Sequence, residues 1–166
     1  NGLLWVGGSA LAATLLSGAG VGLLHLNLGG NGIGVAGAVK IADALRHSSS
    51  CPLLQSLDLH GNGIGDDGCV ALGAALAAGA VPQLDLLDLS ANRIEDRGCA
   101  ALAALFGIYT GAGVGEAVAD VCCPLLTFLN LRENGIESVT ALFGEEKSKG
   151  AGATLPSLTT LDLSWN

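Results

Sequence analysis

One spelling, Leu-x-x-Leu-x-Leu-x-x-Asn-x-Ile, recurs along this chain, most regularly from Leu54 to Leu76, and it restricts the chain to folds built by repeating one unit. Counting the first leucine as position one, the unit starts at Leu23, Leu54, Leu84, Leu126 and Leu158, in steps of 31, 30, 42 and 32 residues. The position-nine asparagines are Asn31, Asn62, Asn92 and Asn134, and partial copies begin at Asn1 and end at Asn166. A period of this size signals a stacked array.

Within the unit, positions four to six are apolar, polar, apolar, as in Leu57-Asp58-Leu59, which predicts a short strand with one buried face. Further on the period changes. Positions nineteen (Leu11, Ile41, Leu72, Leu102) and twenty-three (Leu15, Leu45, Leu76, Phe106) are four apart, the spacing of one helical stripe. Each unit therefore reads as strand, turn and helix. Glycine recurs at position fifteen (Gly7, Gly37, Gly68, Gly98), where either a close approach or backbone freedom is needed. Pro52, Pro82, Pro124 and Pro156 all stand two residues before position one, where a fixed φ and a missing N–H suit the approach to a strand.

These leucines, asparagines and the Gly-Asp-x-Gly opening of an Ala-Leu-rich helix resemble the leucine-rich-repeat family, in the long form of its ribonuclease-inhibitor-like branch. That branch includes Ran GTPase-activating proteins and the repeat domains of NOD-like receptors. The resemblance implies an α/β solenoid with parallel strands on the concave face and helices on the convex face. It also implies a structural ladder from Asn31, Asn62, Asn92 and Asn134 to neighbouring loop backbones. The organisation is then a single domain over residues 1–166, with full units near 23–53, 54–83, 84–125 and 126–157 and partial units at 1–22 and 158–166. Because it opens and closes at position nine, the chain reads as a piece of a longer array.

Composition limits the partners. A formal charge of −8 argues against gripping a phosphate backbone, and only Arg93 and Arg97 approach a basic cluster, so no nucleic acid is expected. Acidity instead favours a protein with a basic surface, although solvation alone explains it as well. The five cysteines, Cys51, Cys69, Cys99, Cys122 and Cys123, follow no zinc spacing; Cys69 and Cys99 share position sixteen of adjacent units, too far apart for a disulfide. They read as small buried thiols in a reducing, cytoplasmic setting. Gly2 to Leu24 carries no charge, but its repeat register and six glycines set a membrane helix aside. No cofactor and no metal site are expected.

Three local expectations follow. A helix spans about Gly7 to Ser17, Asp66 and Asp67 stand just before their own helix as caps, and a short helix lies within Glu137 to Phe143. The unit from Leu84 is longer by extra sequence around Gly107 to Val118, whose Gly111-Ala-Gly113-Val-Gly115 lacks the spacing of a phosphate-binding loop. That insertion is expected to lengthen the helix or to form a rim loop containing Tyr109, and Gly144 to Ala153 to form a loop.

Residues at positions three, five and seven alternate with the buried leucines and point into the concave groove. The candidate partner-binding set is Asn27, Asp58, His60, Asp88, Ser90, Phe128, Asn130, Arg132 and Asp162, with Trp165 on the rim. Asp58 and Asp88 fall on adjacent strands about 5 Å apart, where like charges repel by ~1–3 kcal/mol. A cationic partner offsets that cost, and so do bonds to neighbouring side chains. If the face binds, Asp58, Asp88 and Asp162 recognise Lys or Arg while Leu86, Phe128 and Trp165 supply apolar contact. His25 and His60 lie out of step and have no evident nucleophile, so the chain reads as a non-catalytic protein-interaction module. The alternatives are a GTPase-activating regulator of a Ran-like GTPase, the ligand-sensing repeats of a NOD-like receptor, and a purely structural segment.

Overall fold

The computed structural model describes residues 2–47, 50–106, 123–138, 140–143 and 157–166. Helix α1 (Leu4–Thr14) runs into a wider turn at Leu15–Ala19, followed by β1 (His25–Asn27), α2 (Gly34–Leu45), β2 (Ser56–Asp58), α3 (Gly65–Ala77) and β3 (Leu86–Asp88). Then come α4 (Asp96–Leu102) with a 3₁₀ turn at Ala103–Phe106, β4 (Phe128–Asn130), α5 (Thr140–Phe143) and β5 (Thr160–Asp162). The strands form one open parallel sheet in the order β1-β2-β3-β4-β5. Its register advances one unit at a time, Leu26 against Leu57, then Leu87, Leu129 and Leu161. This is an α/β solenoid of stacked units, as the resemblance implied.

The strands occupy positions three to five, one residue earlier than the apolar alternation predicts. Pairing starts early because the N–H groups of Gln55 and Ser56 both reach the carbonyl of Leu24, a pattern repeated at Asp85 and Leu86. It continues past the strand ends, where Leu28 and Gly30 donate to Asp58 and His60 in the next unit. Before β2, β3 and β4 the proline sits in a turn closed by Leu54 to Cys51, Leu84 to Val81 and Leu126 to Cys123.

The core lies between sheet and helices. Leu57, Leu59, Ile64, Leu72 and Leu76 are all buried, and their counterparts in the flanking units join them. Position-fifteen glycine serves close approach. A Cβ on Gly68 would stand 3.0 Å from Ala38 Cβ, and one on Gly98 would stand 3.1 Å from Asp66 Cα. Neighbouring helices therefore meet where side chains are smallest.

The asparagine ladder is directional. Asn62 Oδ1 accepts the N–H groups of Asn31 and Ile33, Asn92 those of Asn62 and Ile64, and Asn134 those of Asn92 and Ile94. Each Oδ1 thus serves the unit before its own, while Asn62 Nδ2 bridges the carbonyls of Leu28 and Leu59. Asn166 extends the rule by accepting from Ile136. Asn31 Oδ1 is buried and has no hydrogen-bond partner among the described residues.

Two local expectations need correction, and the third, a short helix within Glu137 to Phe143, holds. Helix α1 starts at Leu4 rather than Gly7, because Leu4 N–H is anchored to Asn31 O at 3.0 Å and the helix begins at once. Asp66 and Asp67 lie inside the first turn of α3 and make no cap bond to it. Asp66 instead caps the following unit, accepting the N–H groups of Glu95 and Gly98 at 2.8 and 2.9 Å. Asp96, its counterpart one unit on, accepts those of Glu137 and Ser138. This leaves the backbone at Glu137 and Ser138 engaged outside any helix, so α5 is confined to Thr140–Phe143. The Gly107 to Val118 insertion with Tyr109, the Gly144 to Ala153 loop and Cys122 lie outside the described residues.

Candidate partner-binding face

The position-five row, Asn27, Asp58, Asp88, Asn130 and Asp162, lies in register across the five strands. Every member of it turns back on its own chain in the same way. Asn27 Oδ1 accepts the N–H of Gly29, Asp58 that of His60, Asp88 that of Ser90, Asn130 that of Arg132 and Asp162 that of Ser164, all at 2.9–3.0 Å. An Asx side chain bonding two residues ahead ends the strand and turns the chain toward the asparagine loop. The Asp-x-His and Asp-x-Ser spacings carry that signal in the sequence. One oxygen per residue is thereby used for structure.

The remaining bonds separate the residues. Asp58 Oδ1 also holds His60 Nδ1 at 2.8 Å, and the His60 ring leans over Gly29, where any side chain would collide with it. Asp88 takes the Ser90 hydroxyl on Oδ1 and Asn130 Nδ2 on Oδ2. Repulsion between Asp58 and Asp88 is thus relieved on different sides, by an imidazole and by a hydroxyl with an amide. Ser164 bonds and nearby Arg132 hold the Asp162 carboxyl below the usual carboxylate range. Position three supplies His25, Ser56, Leu86, Phe128 and Thr160, so the face changes from polar at β1 and β2 to apolar at β3 and β4.

At the C-terminal end of the face, Trp165 is 77% exposed and its ring lies 5.8 Å from the Arg132 guanidinium carbon. Arg132 Nε also bonds Glu133 Oε1 at 3.1 Å. An open cleft is lined by Arg132, Glu133, Asn134 and Trp165. Sequence reasoning placed Trp165 on the rim but carried no signal for this stacking, which depends on the bend after each strand.

The Asp58–His60 pair resembles half of a catalytic relay, but no serine, threonine or cysteine among the described residues bonds the other imidazole nitrogen. Among the described residues no three His, Cys, Asp or Glu side chains gather to hold a metal ion, and no helix is long and apolar enough to cross a membrane. The thiols of Cys51, Cys69 and Cys99 are buried. Burial pushes the Cys69 thiol far up, and burial with Asp96 and Asp66 nearby pushes Cys99 up to about 11.

Comparison with known proteins agrees with this architecture. A leucine-rich-repeat family model matches residues 23–42, 50–73, 84–103 and 154–166. Among solved structures, the chain is similar to leiomodin-1 actin-binding site 2, with a TM-score of 0.55 and 17% sequence identity. The match covers 76% of this chain and 61% of that one. At that identity the likeness speaks for the fold alone. No curated protein matches the chain.

Proposed function

We propose that this leucine-rich-repeat protein is a non-catalytic binding module whose concave strand face receives a basic segment of a partner protein. The observation that carries this reading is the in-register row of Asp58, Asp88 and Asp162, each oriented by an N–H two residues ahead. Fixed carboxylates lose little freedom on binding, and preorganisation of this kind raises affinity without adding contacts. His60, Ser90, Asn27 and Asn130 frame the row, and Phe128 supplies apolar surface at its C-terminal half. A cytoplasmic setting is consistent with buried reduced thiols. The GTPase-regulating and ligand-sensing alternatives rest on branch resemblance and draw on no feature of this face.

The experiment compares the unaltered chain with an Asp58→Ala/Asp88→Ala variant, after circular dichroism has shown equal folding. Both are used to capture partners from a cell extract at low and high salt. Capture that is lost in the variant and weakened by salt supports the reading, and equal capture by both refutes it. Since the structural neighbour is named for actin binding, filamentous actin is the first defined protein to test by co-sedimentation.

A further inference from the structure

The ladder asparagines differ in the residue that follows them. Asn31, Asn62 and Asn134 precede glycine, whereas Asn92 precedes Arg93. This position is left-handed in the first three full units, with φ of 64° at Gly32, 65° at Gly63 and 60° at Arg93. Glycine adopts that backbone freely, and a residue with a Cβ does not. The fold gives Arg93 nothing in return. Its side chain is exposed and meets no hydrogen-bond or ion-pair partner among the described residues.

The chemistry of the Asn-Gly step accounts for the exception. The glycine backbone nitrogen attacks the asparagine Cγ, a C–N bond forms, and Nδ2 leaves as ammonia. Water then opens the cyclic imide to aspartate or isoaspartate. A side chain on the second residue crowds the attack. In the stack the reaction is also held back by the ladder itself. Asn62 Oδ1 accepts from Asn31 and Ile33, while its Nδ2 donates to the carbonyls of Leu28, Leu59 and His60. Asn134 is pinned in the same way, by Asn92 and Ile94 on Oδ1 and by the carbonyls of Leu89, Leu131 and Arg132 on Nδ2. Neither carboxamide carbon reaches the nitrogen that follows it until its unit opens. Once converted, the unit does not close again as before. A carboxylate in place of the Asn62 carboxamide sets an acceptor against three carbonyl oxygens at a buried site.

We infer that Asn62 and Asn134 are modification sites, converted to aspartate or isoaspartate when their units open, and that Arg93 shields the fully buried Asn92 from the same reaction. The ladder thereby makes opening irreversible, and the lifetime of the folded stack follows how often its units open. This holds whatever the concave face binds.

The test incubates the unaltered chain and an Arg93→Gly variant in mildly alkaline buffer, with and without guanidinium chloride. Each asparagine is followed by peptide mass spectrometry with fragmentation. In denaturant, Asn62 and Asn134 of the unaltered chain are expected to convert at least about tenfold faster than Asn92, and in Arg93→Gly Asn92 joins them. Because these rates are read in the unfolded chain, no folding defect of the variant enters them. Without denaturant, conversion of Asn62 and Asn134 is expected to slow at least about tenfold. Equal rates at Asn92 and Asn62 in the denatured unaltered chain overturn the shielding, and equal rates with and without denaturant overturn the gating. Asn62→Asp is expected to unfold at a lower denaturant concentration than the unaltered chain; an unchanged midpoint overturns the irreversible opening.

Discussion

Asp66 and Gly98 belong to different repeat units, yet the Asp66 carboxylate accepts the Gly98 N–H at 2.9 Å and the Glu95 N–H at 2.8 Å. One unit thus supplies the N-terminal cap for the next unit's helix, and Arg97 closes over the junction by reaching Asp67 at 2.5 Å and Asp66 at 3.5 Å. The contact joins units on the helical side as the asparagines join them on the loop side.

Removing this cap is expected to be costly although Asp66 lies near the surface. Asp66→Ala should lower unfolding free energy by about 0.5–2 kcal/mol, the range for loss of a helix cap. Asp67→Ala removes only an exposed ion pair and should cost under about 1 kcal/mol. Urea unfolding of both variants decides the matter; equal losses would mean that Asp66 acts by charge rather than as a cap.

The ladder should weaken unequally along its length. Asn92 is fully buried and holds two N–H groups of the preceding unit, so Asn92→Ala leaves them unpaired and should cost about 2–4 kcal/mol. Asn31 Oδ1 has no partner among the described residues, so Asn31→Ala should cost nearer about 1 kcal/mol. The same denaturant titration ranks them, and a reversed order would refute the directional account.

Helix spacing offers a third check. Gly68→Ala drives a methyl between Ile64 and Ala38 and should destabilise by about 1–3 kcal/mol. At Gly22 a Cβ meets nothing within 4 Å, and Gly22→Ala should shift stability by less than about 0.5 kcal/mol. Comparable melting temperatures for the two variants would contradict the close approach.

The buried thiols give a pH dependence. Cys99 is raised from 9.0 to about 11 in the folded state, so the unfolded chain releases this proton first as pH rises. Its contribution to stability is complete below about 9 and is lost as pH climbs toward about 11. Thiol-reactive dye at pH 8 should label Cys69 and Cys99 only on unfolding; rapid labelling of the folded chain would refute their burial.

What could be read from residues alone was whatever repeats along one chain. Leu57, Leu59, Ile64, Leu72 and Leu76 announced the core because burial imposes period two on strands and nearly four on helices. Register between Asp58 and Asp88 followed from equal unit lengths. Destinations across unit boundaries stayed hidden: Asp66 looked like a cap for its own helix because the rule for caps is local, whereas stacking brings the next helix start within reach. The candidate face was legible as a set of positions, but the bonds joining Asp58 to His60 and Asp88 to Asn130, and the stacking of Trp165 on Arg132, depend on rotamers and on the bend after each strand.

The one-way sense of the asparagine ladder means that the first and last described units are not equivalent when they open. Peeling the last unit away strips the carboxamide of Asn166 from the N–H of Ile136 and exposes a donor. Opening at the first unit instead frees Leu4 N–H from Asn31 O but strips no partner from the Asn31 carboxamide oxygen, which has none among the described residues. Orphaned donors are harder to accommodate than under-used acceptors. Hydrogen exchange should therefore spread inward more readily from α1 than from β5, giving the stack a direction of unravelling opposite to the direction in which each unit protects its predecessor.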